Sequence, residues 1–150
     1  MNQKGLRVLE ALCGRFGPGV IEHVVGARDA AVAADFFEEI RAFCAKVGVP
    51  HFERSEAPER RSAYAFAVGW RWLIQPSKGL VVFHDSLLPR YRGFAPLVNA
   101  LLNREPFLGV STLHAEAEFD AGPLVGQEKV AVSYPIGIAE AIDLISPLYA

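Results

Sequence analysis

Two short runs of this chain are apolar at every position: Ala63-Tyr64-Ala65-Phe66-Ala67-Val68 and Leu80-Val81-Val82-Phe83. Side chains alternate across a strand, so such a run needs apolar cover on both faces. Central strands of a sheet with helices above and below meet that condition. Helical stripes flank the runs. Leu6, Leu9, Leu12, Cys13 and Phe16 recur at spacings of three and four, until Gly14 and Gly17-Pro18-Gly19 end the helix. Val32, Phe36, Phe37, Ile40, Phe43, Cys44 and Val47 repeat likewise, with Asp29 as the expected N-cap and Gly48 as the stop.

Between these helices Val20–Gly26 reads as a strand, and Val49-Pro50-His51-Phe52 leads out of the second helix. Leu80 is entered from Pro76-Ser77-Lys78-Gly79, a helix is expected over Pro96–Asn103, and strands over Val110–His114 and Leu124–Val132. Ile138, Ile142, Ile145 and Leu148 begin a last helix. The order is helix, strand, helix, strand, strand, helix, strand, strand, helix. It predicts a layered α/β/α, Rossmann-type sheet, mostly parallel, in one domain spanning residues 1–150.

Composition narrows the class. With 51% hydrophobic residues and a net charge of −2, the 150 residues have ample apolar surface to offset chain entropy, which excludes disorder. No apolar run reaches the roughly 18 residues that a membrane helix needs, and the N-terminal residues read as no signal peptide. A pI near 6.1 is not the footprint of a general nucleic-acid binder. Cys13 and Cys44 sit in apolar helical patterns and form neither a disulfide framework nor a metal site. The expectation is a cytoplasmic protein with a small-molecule substrate, no nucleic acid and no membrane partner.

Ligands of open α/β sheets bind beyond the carboxyl ends of the strands, which directs attention to Gly69-Trp70 and to the loop that begins at His84. That loop reads His84-Asp85-Ser86-Leu87-Leu88-Pro89-Arg90-Tyr91-Arg92-Gly93, and Asp120-Ala121-Gly122 follows, with Asp120 36 residues after His84. The loop, Ala95-Pro96, Asn99-Ala100-Leu101, Gly109-Val110-Ser111 and the His-to-Asp interval together resemble the folate-dependent formyltransferases. The resemblance is strongest over residues 63–132 and weaker through Val47-Gly48-Val49-Pro50 and Val68-Gly69-Trp70-Arg71.

The resemblance implies transfer of a formyl group from N10-formyltetrahydrofolate to a small amine, such as a nucleotide-linked amino sugar. Attack on the formyl carbon develops an oxyanion, to which a protonated imidazole can donate before passing a proton to the departing nitrogen. By resemblance His84 is that group, and Asp120 orients it and accepts the proton shed by the amine. Gly69, Trp70, Leu88 and Asp120 are implied in folate binding, with Trp70 and Trp72 read alternatively as core. Ser86 either caps the loop or contacts substrate. Arg90 and Arg92 either bind substrate phosphate or are solvated.

One departure bears on activity. The family's catalytic asparagine lies two residues before the histidine, and Val82 stands there. Losing one oxyanion donor typically costs about 10²–10³ in rate. Three alternatives follow: a slow enzyme, one that recruits another donor such as a protonated Asp85, or an inactive relative that keeps the fold for binding or assembly. A formyltetrahydrofolate hydrolase, with water replacing the amine, is a further reading. The family's first strand has no counterpart before the Gly5-Leu6-Arg7-Val8-Leu9 helix, which points to a sheet lacking its first strand, a core truncated at both ends and a homodimer covering the exposed edge.

Overall fold

The computed structural model describes residues 3–30, 32, 34–72, 74–75 and 77–150; Met1, Asn2 and Pro76 of the expectations above lie outside them. The chain divides into two compact units, Met1–Ser62 with Ala150 and Ala63–Tyr149, where the sequence reads as one domain. The division falls in the exposed polar stretch that follows Glu56. The described strands hydrogen-bond into two sheets. Among the described residues no helix is long and apolar enough to cross a membrane.

In the first unit, helix α1 (Gln3–Phe16) precedes strand β1 (Val24–Gly26), helix α2 (Phe37–Val47) and strand β2 (His51–Glu53). β1 and β2 pair in parallel, as a strand–helix–strand crossover requires. Ile40, Cys44 and Val49 form the core, and Leu6, Leu9, Ile21, Val24, Phe36 and Val47 pack against it. Gly48 closes α2 at φ 76°, with its N–H on the Ala45 and Cys44 carbonyls. Two expectations are corrected here. The strand expected over Val20–Gly26 is confined to Val24–Gly26, because Pro18–Val20 makes a 3₁₀ turn. Asp29 does not cap α2: its N–H donates to Asp35 Oδ2 at 3.0 Å, and α2 starts only at Phe37.

The second unit holds β3 (Ala65–Val68), β4 (Leu80–His84), helix α3 (Pro96–Leu102), β5 (Phe107–His114), β6 (Leu124–Ala131) and helix α4 (Ile138–Ile145), with a 3₁₀ helix over Ser146–Tyr149. The sheet order is β3-β4-β5-β6. The α/β class is as expected. Parallel pairing holds for β1–β2 and for β3–β4, whereas β4–β5 and β5–β6 run antiparallel. β4 lies between β3 and β5, with Val82 opposite Leu113 and His84 opposite Ser111. Leu80 and Val81 are buried, and so are Leu108, Val110 and Leu113 on β5. The apolar run at residues 80–83 thus becomes an inner strand that ends on a buried histidine.

His51 is a buried cost in the first unit. Its ring lies edge-on to Phe37 at 5.1 Å, and its Nε2 is buried without a hydrogen-bond partner among the described residues. Gly26 faces it so closely that a Cβ there would lie 2.7 Å from Nε2. Burial first, and the Arg41 charge second, hold the His51 pKa below its ordinary value of 6.5. A depressed folded-state value means that this group's stabilisation is complete above 6.5 and is lost as pH falls through the folded value. The melting temperature is expected to fall between about pH 7 and about pH 5. His51→Gln should flatten that dependence, as thermal denaturation across this range would show.

Candidate active site

β4 delivers His84 at its last residue, 7% exposed. Alternation along the strand puts Val82 and His84 on one face and Phe83 on the other. The contacts agree. His84 Nδ1 lies 3.4 Å from Asp120 Oδ2, while Phe83 stacks on the buried ring of Tyr149 at 5.4 Å and 14°. His84 Nε2 lies 2.8 Å from the Tyr91 carbonyl; a carbonyl only accepts, so Nε2–H is the donor. Both ring nitrogens therefore face oxygen atoms, Nδ1 that of Asp120 and Nε2 that of the Tyr91 carbonyl.

Asp120 comes from the segment joining β5 and β6 and sits at φ 52°, a left-handed conformation that aspartate tolerates better than most residues. Its Oδ2 also accepts the Gly93 N–H at 2.8 Å. Gly122 lets this segment fold back, since a Cβ there would run into the His114 backbone carbonyl. The pair expected from the His-to-Asp interval is thus brought together by two elements of the same unit.

The loop after β4 is held by one fully buried hydroxyl. Ser111 Oγ–H donates to the Ser86 carbonyl at 2.6 Å, and the same oxygen accepts from Leu88 N–H at 3.1 Å and Gln127 Nε2 at 2.8 Å. Gln127 Nε2 also donates to the Leu88 carbonyl at 2.9 Å. Ser86 is buried, and its hydroxyl donates to the Arg90 carbonyl at 2.7 Å, the capping role weighed for it. Gln127 was not singled out in the sequence. It stands on β6 opposite Ser111, and only that antiparallel register reveals it.

The remaining expected residues are placed as follows. Arg90 pairs with Glu105 through Nη1, 2.7 Å from each carboxylate oxygen, and Arg92 Nη1 lies 3.9 Å from Glu118. Gly69, at φ 53°, makes the turn after β3, and the half-buried Trp70 ring meets Trp72 edge to face at 5.0 Å. Leu88 is buried. Asp85 accepts the Tyr149 hydroxyl, on the Phe83 side of the strand, so it is not the donor weighed as a substitute for the missing amide. Burial, and then the Asp85 charge and hydrogen bond, push the Tyr149 phenol well above its ordinary value. An open cavity of about 360 Å³ lies at the other end of β4, against Lys78, His114 and Glu116, and none of the expected residues lines it.

The geometry can be set beside known proteins. The formyl transferase family model matches residues 63–136, the stretch that contains every residue above except Tyr149. Over those residues, just under half of its length, the chain is similar to the formyl transferase family. A methionyl-tRNA formyltransferase of Moorella thermoacetica is 46% identical over 75 residues, which are 50% of this chain and 24% of that protein. The chain thus matches about a quarter of that relative's length. Among solved structures, the phosphoribosylglycinamide formyltransferase of Anaplasma phagocytophilum superposes with a TM-score of 0.73 at 16% identity, covering 97% of this chain and 75% of that one. The formyltransferase PseJ of Anoxybacillus kamchatkensis, solved with UDP-4,6-dideoxy-4-formamido-L-AltNAc and tetrahydrofolate, gives 0.59 at 15% identity, covering 85% and 70%. At such identities these two structures establish the fold.

Ser111→Ala tests the loop's foundation in this formyl transferase segment. It leaves the buried Ser86 carbonyl, Leu88 N–H and Gln127 amide short of a partner, which should destabilise the protein by about 1–3 kcal/mol. Chemical denaturation of the two proteins would measure the difference.

Proposed function

We propose that the protein transfers a formyl group from N10-formyltetrahydrofolate to a primary amine, with His84 and Asp120 as the catalytic pair. The observation that carries this reading is the buried imidazole at the end of β4, 3.4 Å from a carboxylate, inside the formyl transferase segment. The donor supplies an activated one-carbon group on nitrogen. The His84 ring offers its Nε2–H to the oxygen that gains charge as the amine adds, and it can pass a proton to the departing nitrogen. Asp120 holds Nδ1, fixes the ring's orientation and accepts the proton that the amine loses. For Nε2 to reach substrate, the Tyr91 carbonyl has to give way to the incoming oxygen.

Leu88, Gly69 and Trp70 are the residues proposed to line the folate site, and Ser86, Arg90 and Arg92 the acceptor side. Ser86 and Arg90 would act there mainly by holding the loop, since each is engaged within the protein. The acceptor is a small amine, with a nucleotide-linked amino sugar supported by the UDP-sugar bound in the PseJ structure. The methionyl-tRNA relative makes an aminoacyl-tRNA amine the competing acceptor.

Val82 favours a second reading, a relative that binds without turning over. An isopropyl group on the His84 face supplies no hydrogen bond to the formyl oxygen. One assay separates these readings. The protein is given the formyl donor with an amino-sugar nucleotide, phosphoribosylglycinamide or methionyl-tRNA, and formylated product and free formate are followed. Formyl transfer predicts product with at least one acceptor, reduced about 10²-fold or more by His84→Ala and by Asp120→Asn. Val82→Asn should raise the rate by about 10²–10³. Product from Val82→Asn alone supports the binding-only reading, and formate without amine marks a hydrolase.

A further inference from the structure

The loop after β4 closes on the His84–Asp120 pair. His84 Nε2–H donates to the Tyr91 carbonyl at 2.8 Å, Gly93 N–H donates to Asp120 Oδ2 at 2.8 Å, and Ser86 Oγ–H donates to the Arg90 carbonyl at 2.7 Å. Backbone groups of residues 91 and 93 therefore occupy polar atoms of His84 and Asp120. What holds them lies outside the catalytic pair. Glu105, in the turn between α3 and β5, accepts the Tyr91 hydroxyl at 2.6 Å and Arg90 Nη1 at 2.7 Å on each oxygen. Its backbone carbonyl accepts the Tyr134 hydroxyl at 2.9 Å, which ties the turn to the segment after β6.

Tyr91 has φ 58°, a backbone conformation that tyrosine seldom adopts unless its surroundings impose it. Its phenol is tied to Glu105, and that bond first, with burial second, raises the phenol above its ordinary value. The Glu105 side chain is 19% exposed, so the charge-assisted bonds it accepts are partly shielded from water.

We propose that Glu105 is a positioning residue of this site: it holds Tyr91 and Arg90 so that the Tyr91 carbonyl stays on His84 Nε2 until a substrate oxygen replaces it. The identity of that substrate rests on the formyl-transfer reading, but the route from Glu105 through Tyr91 to His84 does not. No covalent bond changes in this step. Nε2–H exchanges one acceptor oxygen for another, and the barrier to the exchange is set by the anchor at position 105. Glu105→Ala removes the anchor, and Tyr91→Phe removes only its tyrosine half. Glu105→Gln keeps an oxygen for the Tyr91 hydroxyl.

The test follows the His84 ring itself in the full chain, with nitrogen-15 histidine signals and with diethylpyrocarbonate labelling mapped by mass spectrometry. Labelling of His84 should rise about tenfold or more in Glu105→Ala, the factor expected when a hydrogen bond to a charged group is lost. It should rise several-fold in Tyr91→Phe and return close to the wild-type rate in Glu105→Gln, with the Nε2 signal moving in the same order. A purely structural role would lower the melting temperature without this ranking. If Glu105→Ala does not fold, Tyr91→Phe carries the test. An unchanged His84 signal and labelling rate in Tyr91→Phe overturns the proposal. None of these readouts needs a formyl donor, so absence of turnover in the wild type would count against formyl transfer alone.

Discussion

A buried imidazole with both nitrogens facing oxygen acceptors is the constraint on which this site depends. His84 is placed there as the last residue of β4, an inner strand flanked by β3 and β5. Asp120 supplies one acceptor and the Tyr91 carbonyl the other. Each comes from a segment with an unusual backbone, since Asp120 and Tyr91 both have positive φ. Two left-handed residues around one ring are a local expense that the surrounding hydrogen bonds must over-determine.

Those bonds are distributed with little redundancy. Ser111 alone carries three of them, at the centre of β5, and each involves the loop after β4 or the neighbouring β6. Its complete burial makes the hydroxyl costly to lose. On the opposite side of β4, Tyr149 stacks on Phe83 and bonds Asp85, so the residues before and after His84 are fixed from the face that His84 does not use. The strand end is clamped from both faces, with the His84 ring held between Asp120 and the Tyr91 carbonyl.

Much of this was legible in the sequence. The unbroken apolar run at residues 80–83 marks an inner strand, and a histidine straight after it has to sit at the strand's carboxyl end. The pairing with Asp120 was implied by a family resemblance, and no periodicity could have supplied it. Other features were hidden because they depend on register or on distant side chains. Asp29 reads as a helix cap in the sequence, whereas α2 starts only at Phe37 and the Asp29 N–H donates to Asp35. Arg90 looked free to bind phosphate, but Glu105 lies within reach only after α3 turns back towards β5. Asp85 looked like a loop carboxylate, and its partner Tyr149 is 64 residues away.

Val82 remains the point of tension, because it leaves the proposed site one hydrogen-bond donor short of what the resemblance implies. The central claim, that this pair serves a reduced folate, is tested most directly by titrating the protein with a non-transferring reduced folate while observing the His84 ring by nuclear magnetic resonance. The account predicts saturable one-to-one binding at micromolar concentrations, with the His84 Nε2 signal moving as the Tyr91 carbonyl is displaced. An unmoved His84 signal with no binding heat at millimolar folate would contradict it.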